Sequence, residues 1–137
     1  MEPDLLLAKM ESLSRCILRI ESKRPDNKEI LINDIDIQDI IAVNLERAVQ
    51  QCVDTGLHIL SDYNGSSVDS MADVFLSLSD NKIISQDLAN KLIAAVGFRN
   101  IAVHEYRSID WSIVWTIIHD HLIDFRDFQK AVLNLIP

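Results

Sequence analysis

The stretch IDIQDIIAVNLERAVQQCVDTGLHILSDY, residues 35–63 of a 137-residue chain, decides the fold. Within it Ile41, Leu45, Ala48, Val49, Cys52, Gly56 and Ile59 recur at steps of three and four, the period of a helix that buries one face. Asn33 and Asp34 stand just before it and are good capping residues, so the spacing predicts one long helix from about Ile35 to Tyr63. Upstream, Leu6, Met10, Leu13, Ile17 and Ile20 repeat the pattern over Asp4 to Arg24, predicting a first helix that Pro25-Asp26-Asn27 breaks. Residues Lys28 to Asp34 read as a connector.

Downstream, Asn64-Gly65-Ser66-Ser67 is a turn signal, and Met71, Val74, Phe75 and Leu78 predict a short helix that ends at Ser79-Asp80-Asn81-Lys82. Ser85 caps a third long helix carrying Leu88, Leu92, Ala95 and Val96. Gly97 inside it costs about 1 kcal/mol relative to Ala, which argues for a close backbone approach or a local bend there. After a turn through Arg107-Ser108-Ile109, Asp110 caps a last helix with Trp111, Val114, Trp115, Ile118, Leu122, Phe125, Val132 and Leu135 at core spacing. The expected architecture is therefore all-α: an antiparallel four-helix bundle with one additional short helix, forming a single domain over residues 1–137.

Composition agrees. Three glycines and three prolines leave little material for long loops, and 48% hydrophobic residues suffice for one core. Cys16 and Cys52 show no metal-ligand spacing and read as buried thiols in a reducing compartment, with neither a structural metal nor a cofactor expected. The segment Met1-Glu2-Pro3-Asp4 lacks the basic and apolar regions of a secretory signal, and no apolar run reaches membrane-spanning length, so a cytoplasmic location is expected. A net charge of -8 means that any nucleic-acid site must be a local basic patch. Arg15, Arg19 and Lys23, with Arg24 beside them, form a basic stripe on the first helix that serves either as a solvated face or as a phosphate- or partner-contacting one.

Two groups of polar residues stand out. Asn44, Arg47, Gln51, Asp54 and His58 follow one another at steps of three and four, a stripe that is either solvent-exposed or a hydrogen-bonded seam against another helix or a second chain. The run Arg99-Asn100-Ile101-Ala102-Val103-His104-Glu105-Tyr106 puts a permanent cation, an amide, an imidazole and a phenol within two helical turns. Such groups suit metal-independent RNA cleavage, in which a base deprotonates the ribose 2'-hydroxyl, an acid protonates the leaving 5'-oxygen and a cation steadies the charged phosphorus. Asn100 and His104 lie about 40° apart around a helix, whereas Arg99 and His104 are about 140° apart, so Arg99 must bend toward them. Taken alone, these remain commonplace surface residues near a helix end, with Tyr106 a partly buried anchor. His119 and His121 are two apart and point about 200° away from each other, so they are not a chelate. No GxGxxG, Walker loop, HExxH or GxSxG is present.

Arg-x4-His-x-Tyr, preceded by Val96-Gly97-Phe98 and carrying Asn100 after the arginine, resembles the signature of the HepT-like ribonuclease toxins of the HEPN superfamily. The helix order and the Asn44-Leu45 and Cys52-Val53-Asp54 stretches extend the likeness over nearly the whole chain. The resemblance implies an endoribonuclease toxin of a toxin–antitoxin pair, acting as a homodimer whose cleft joins two copies of the motif. By motif position Arg99 and His104 would be catalytic, Asn100 would orient the histidine or phosphate, and Tyr106 would accept AMP from a minimal nucleotidyltransferase (MntA-like) antitoxin. The stripe Asn44, Arg47, Gln51, Asp54 and His58 would lie at or near the cleft. The alternative is a non-catalytic helical partner that presents substrates to a nucleotidyltransferase.

Overall fold

The computed structural model describes residues 2–63 and 68–137. Among them are seven α-helices and no strand: α1 (Pro3–Lys23), α2 (Lys28–Asn33), α3 (Ile35–Leu60), α4 (Met71–Asp80), α5 (Gln86–His104), α6 (Trp111–Asp120) and α7 (Leu122–Leu133), with a single 3-10 turn at Tyr106–Ser108. The turn read at Asn64–Ser67 lies outside the described residues. Four long units form the bundle, namely α1, α3, α5 and the α6–α7 pair, and α4 is the additional short helix.

The helix α3 is the central member, packing on α1, α4 and α5 and touching α2 and α7. The backbone N–H of Glu2, ahead of α1, donates to His58 Nε2 near the end of α3, so these two helices run antiparallel. One apolar cluster unites Leu13, Ile17 and Ile20 of α1 with Leu45 and Val49 of α3, Leu92 of α5 and Val132 of α7. At its centre Phe75 and Phe128 meet edge to face with centroids 6.2 Å apart, an arrangement that contributes about 1 kcal/mol beyond the area it buries. Polar ties fix α7 to α1: Gln129 Nε2 donates to Ser14 Oγ at 2.7 Å and to the Met10 carbonyl, and Arg126 pairs with Glu21 at 2.6 Å.

The helix starts follow the capping signals. Asp34, Ser70, Ser85 and Asp110 each accept a backbone N–H from the first turn of α3, α4, α5 and α6. Asn27 does the same for α2, which stands where the sequence suggests a connector. That six-residue helix persists because Gln38, on α3, donates to the otherwise orphaned carbonyls of Leu31 and Ile32, both at 2.8 Å.

Two further expectations are corrected. The last helix is not continuous: it breaks at His121, so that α6 packs on α2 while α7 packs on α1 and α5, which one straight rod could not do. Gly97 provides neither a bend nor a close approach, since α5 runs through it unbroken and nothing lies within 4 Å of where a Cβ would stand. The close approach belongs to Gly56, where a Cβ would overlap Val74 Cγ1 and sit 3.1 Å from Leu78 Cδ1. Glycine there lets α4 cross α3 against bare backbone.

Cys16 and Cys52 are free thiols buried between α1 and α3, and burial pushes both ionisations up, Cys52 the further, so they stay neutral packing groups. No described helix is long and apolar enough to cross a membrane.

Candidate functional site

The motif occupies the last turns of α5 and the 3-10 turn that follows. The helix stops at Glu105, whose backbone N–H still reaches the Ile101 carbonyl at 2.8 Å while its ψ of 55° turns the chain away. Tyr106 is thereby carried off the α5 axis and back toward the first turns of α3.

Arg99 is half-buried between α5 and α3. Its Nη1 donates to Asn100 Oδ1 at 3.3 Å and its Nη2 to Gln50 Oε1 at 3.3 Å, while Gln50 Nε2 donates in turn to Asp54 Oδ1 at 2.9 Å. The order Asp54–Gln50–Arg99–Asn100 is thus a hydrogen-bonded chain from the middle of α3 to the end of α5. Arg99 Nε is buried without a partner among the described residues, so the guanidinium has donor capacity beyond what the protein satisfies. Both bonds to Arg99 are long for N–H···O contacts and leave further guanidinium donors unused.

The His104 side chain is exposed and makes no hydrogen bond to another described residue. The structure joins the side chains of Arg99 and Asn100; it bonds neither side chain to that of His104, which stands about one turn beyond Asn100 on the same helix.

Tyr106 lies beyond the end of α5 and is tied to α3. Its hydroxyl donates to Asp39 Oδ1 on α3, and its ring meets Trp111 edge-on at 6.1 Å. Partial burial and then the Asp39 carboxylate push the phenol's ionisation well above the ordinary tyrosine range. The side chain nevertheless remains 40% exposed, so its oxygen is within reach of a second protein.

The five-residue stripe on α3 divides. Asn44 is buried and spends its amide on the Ile40 carbonyl, Arg47 is exposed, Gln51 is half-buried, Asp54 holds Gln50, and His58 receives the Glu2 N–H. Only Asp54 is connected to Arg99. The residues that meet the motif are Asp39 and Gln50, which sequence reasoning missed, although Asp39, Glu46 and Gln50 recur at steps of seven and four along one side of α3.

His119 lies against Trp115 with ring centroids 3.8 Å apart, and His121 Nδ1 is 3.0 Å from the buried Asp124 carboxylate, so each imidazole has a separate structural role. No group of three or more His, Cys, Asp or Glu among the described residues is arranged to hold a metal ion. A cavity of about 770 Å³ between α5 and α6, lined by Gly97, Phe98, Ile101, Ile113 and Ile117, includes none of Arg99, Asn100, His104 or Tyr106. Its lining is mostly apolar, with Ser112, Thr116 and the His121–Asp124 pair among its polar members, and the motif's four side chains lie outside it.

The chain is similar to known proteins over nearly its whole length. Residues 13–132 match the family described as "Ribonuclease HepT-like". The chain is 34% identical over 129 residues to the "mRNA nuclease HepT" of Shewanella oneidensis, covering 94% of this chain and 96% of that one. It is 25% identical over 131 residues to the "tRNA nuclease HepT" of Aphanizomenon flos-aquae, covering 96% and 89%. Among solved structures, the tri-AMPylated Shewanella oneidensis HEPN toxin in complex with its MNT antitoxin superposes with a TM-score of 0.91 at 33% identity, over 98% of this chain and 99% of that one. A toxin–antitoxin complex with AMP-PNP superposes with a TM-score of 0.90 at 32% identity, over 96% and 98%.

Proposed function

The chain belongs to the HepT-like ribonuclease family, and on that premise we propose that it is the endoribonuclease toxin of a toxin–antitoxin pair, cutting cellular RNA in the cytoplasm at the end of α5. The observation that carries the reading is Arg99, a half-buried cation with an unsatisfied buried N–H, about 1.4 helical turns from a solvent-open imidazole.

His104 removes the proton of the ribose 2'-hydroxyl as that oxygen attacks the adjacent phosphorus. The bond to the 5'-oxygen breaks, and a second imidazole protonates the leaving oxygen. Each chain offers one motif histidine, so base and acid come from two copies in a homodimer whose cleft brings the two α5 ends together. Arg99 neutralises the charge that grows on the phosphoryl oxygens, and Asn100 orients the guanidinium or the phosphate. Two copies of Arg99 supply the local positive charge that a chain of net charge -8 otherwise lacks. The α3 stripe of Asn44, Arg47, Gln51, Asp54 and His58 lies at or near that cleft.

The antitoxin is a minimal, MntA-like nucleotidyltransferase that transfers AMP from ATP to Tyr106. An attached adenylate places a bulky phosphodiester anion beside the motif, where it repels an incoming strand.

The test is RNA cleavage by purified protein. His104→Ala and Arg99→Ala should each abolish it while leaving melting unchanged. Wild-type cleavage should survive EDTA and leave 2',3'-cyclic phosphate ends or their opened product. Full activity in both variants, or a strict need for added magnesium, overturns the mechanism. Tyr106→Phe should cut RNA yet escape neutralisation.

A further inference from the structure

Tyr106 is 67 positions from Asp39 in sequence, yet its hydroxyl is held by that carboxylate. The contact is at the surface: Asp39 is exposed on α3, and the tyrosine oxygen stands at the edge of a ring steadied by Trp111. No other described residue hydrogen-bonds to that oxygen. The arrangement orients the phenol as a donor, with its proton aimed at a group that can take it and its lone pairs directed away.

We infer that Asp39 is the proton acceptor for nucleotidyl transfer to Tyr106, a proposal that rests on the reading of Tyr106 as the AMP acceptor. In the step, an electron pair on Tyr106 Oη forms a bond to the α-phosphorus of ATP. The bond from that phosphorus to the oxygen bridging it to the β-phosphate breaks, and pyrophosphate leaves with the electron pair. The Oη proton passes to Asp39 Oδ1 and from there to solvent. The charge and atoms balance without any further reagent.

The timing follows from the acidity of the phenol. Burial and the neighbouring carboxylate make free phenolate scarce at neutral pH, so the oxygen does not react as a preformed anion. Once it begins to bond to phosphorus its proton becomes strongly acidic, and a carboxylate already in hydrogen-bond contact is then a competent base. The same contact cannot outlast the reaction. A phosphodiester on Oη would face the Asp39 carboxylate at hydrogen-bond range, and repulsion between like charges turns the modified side chain away from α3.

The experiment measures single-turnover AMP transfer from ATP by the nucleotidyltransferase of the chain's own pair, followed by intact mass and peptide mapping. Asp39→Asn retains an acceptor oxygen for the phenol but cannot take its proton. Its rate should fall about 100-fold, in the range of general-base effects, with Tyr106 still the mapped acceptor. The variant's rate should also climb with pH, as hydroxide replaces the missing base, whereas the wild-type rate is level over the same range. Asp39→Glu should recover part of the rate. Melting temperatures identify any variant whose loss comes from folding. If Asp39 merely anchors the ring, Asp39→Asn will match the wild-type rate and pH profile and only Asp39→Ala will be slow; that result overturns the proposal. AMP mapped on wild type to a residue other than Tyr106, or no AMP at all, overturns the acceptor assignment itself and the proposal with it.

Discussion

Replacing Gln50 with Ala removes the only acceptor that α3 presents to Arg99 among the described residues, and the consequence can be sized. A hydrogen bond to a charged donor is worth about 1.5–3 kcal/mol, and the 3.3 Å length and partial exposure of this one place it at the lower end. Arg99 then keeps only its bond to Asn100, on its own helix, and is free to sample rotamers that point away from the phosphate. Outright loss of such a transition-state donor costs about 10²–10³ in rate. Losing its anchor should cost a fraction of that, roughly 1.4 kcal/mol or tenfold in kcat. Cleavage of a fluorogenic oligoribonucleotide at saturating and subsaturating concentrations gives kcat and KM separately. A tenfold fall in kcat with little change in KM or melting temperature is expected. A Gln50→Ala, Arg99→Lys double-mutant cycle should be clearly non-additive, because one residue acts through the other. A Gln50→Ala enzyme with wild-type kcat, or a cycle that adds simply, refutes the idea that α3 positions the arginine.

The two contrasting glycines give opposite expectations in thermal melts. Gly56→Ala should destabilise by about 1–3 kcal/mol, because the new methyl overlaps Val74, whereas Gly97→Ala should stabilise by about 0.5–1 kcal/mol in an open helical position. Alkaline titration of the phenolate absorbance, in a Tyr63→Phe background, should show Tyr106 ionising above the ordinary value of about 10. Because the folded-state value is raised, the hydroxyl's stabilising contribution is fully present below about pH 10 and is lost as pH rises through the folded value. Asp39→Ala should lower that ionisation only part of the way, since burial is the larger cause. Sedimentation should find a homodimer at working concentrations; a fully active monomer would rule out the shared pair of histidines.

Much of this molecule could be read from its residues, for a physical reason in each case. The helices α1, α3 and α5 are long enough for a 3.6-residue period to declare itself, and Asp34, Ser85 and Asp110 cap as their side chains suggest. Six residues are too few to show a period, so α2 was hidden; what holds it, Gln38, lies on the next helix. The break at His121 was hidden because Val114, Ile118, Leu122 and Phe125 keep their spacing across it, so the apolar pattern carries no mark of the change in direction. The motif was legible because its members are contiguous. Asp39 and Gln50 were not, since they meet Tyr106 and Arg99 across 67 and 49 positions, a proximity that only the packing of α5 on α3 creates.

The contacts of Asp39 and Gln50 give α3 the character of a ruler. These two residues are 11 positions apart. Around a helix that separation returns to within about 20° of the starting direction and advances about 16 Å along the axis. The helix therefore sets, by its own pitch, the distance between the place where the arginine is held and the place where the tyrosine is held. Substitutions at Val43, which is exposed between them, leave this gauge intact. Deleting or inserting one residue between positions 39 and 50 turns one mark about 100° away from the other, so that a chain correcting the arginine loses the tyrosine. This segment of α3 should accept changes of side chain far more readily than changes of length.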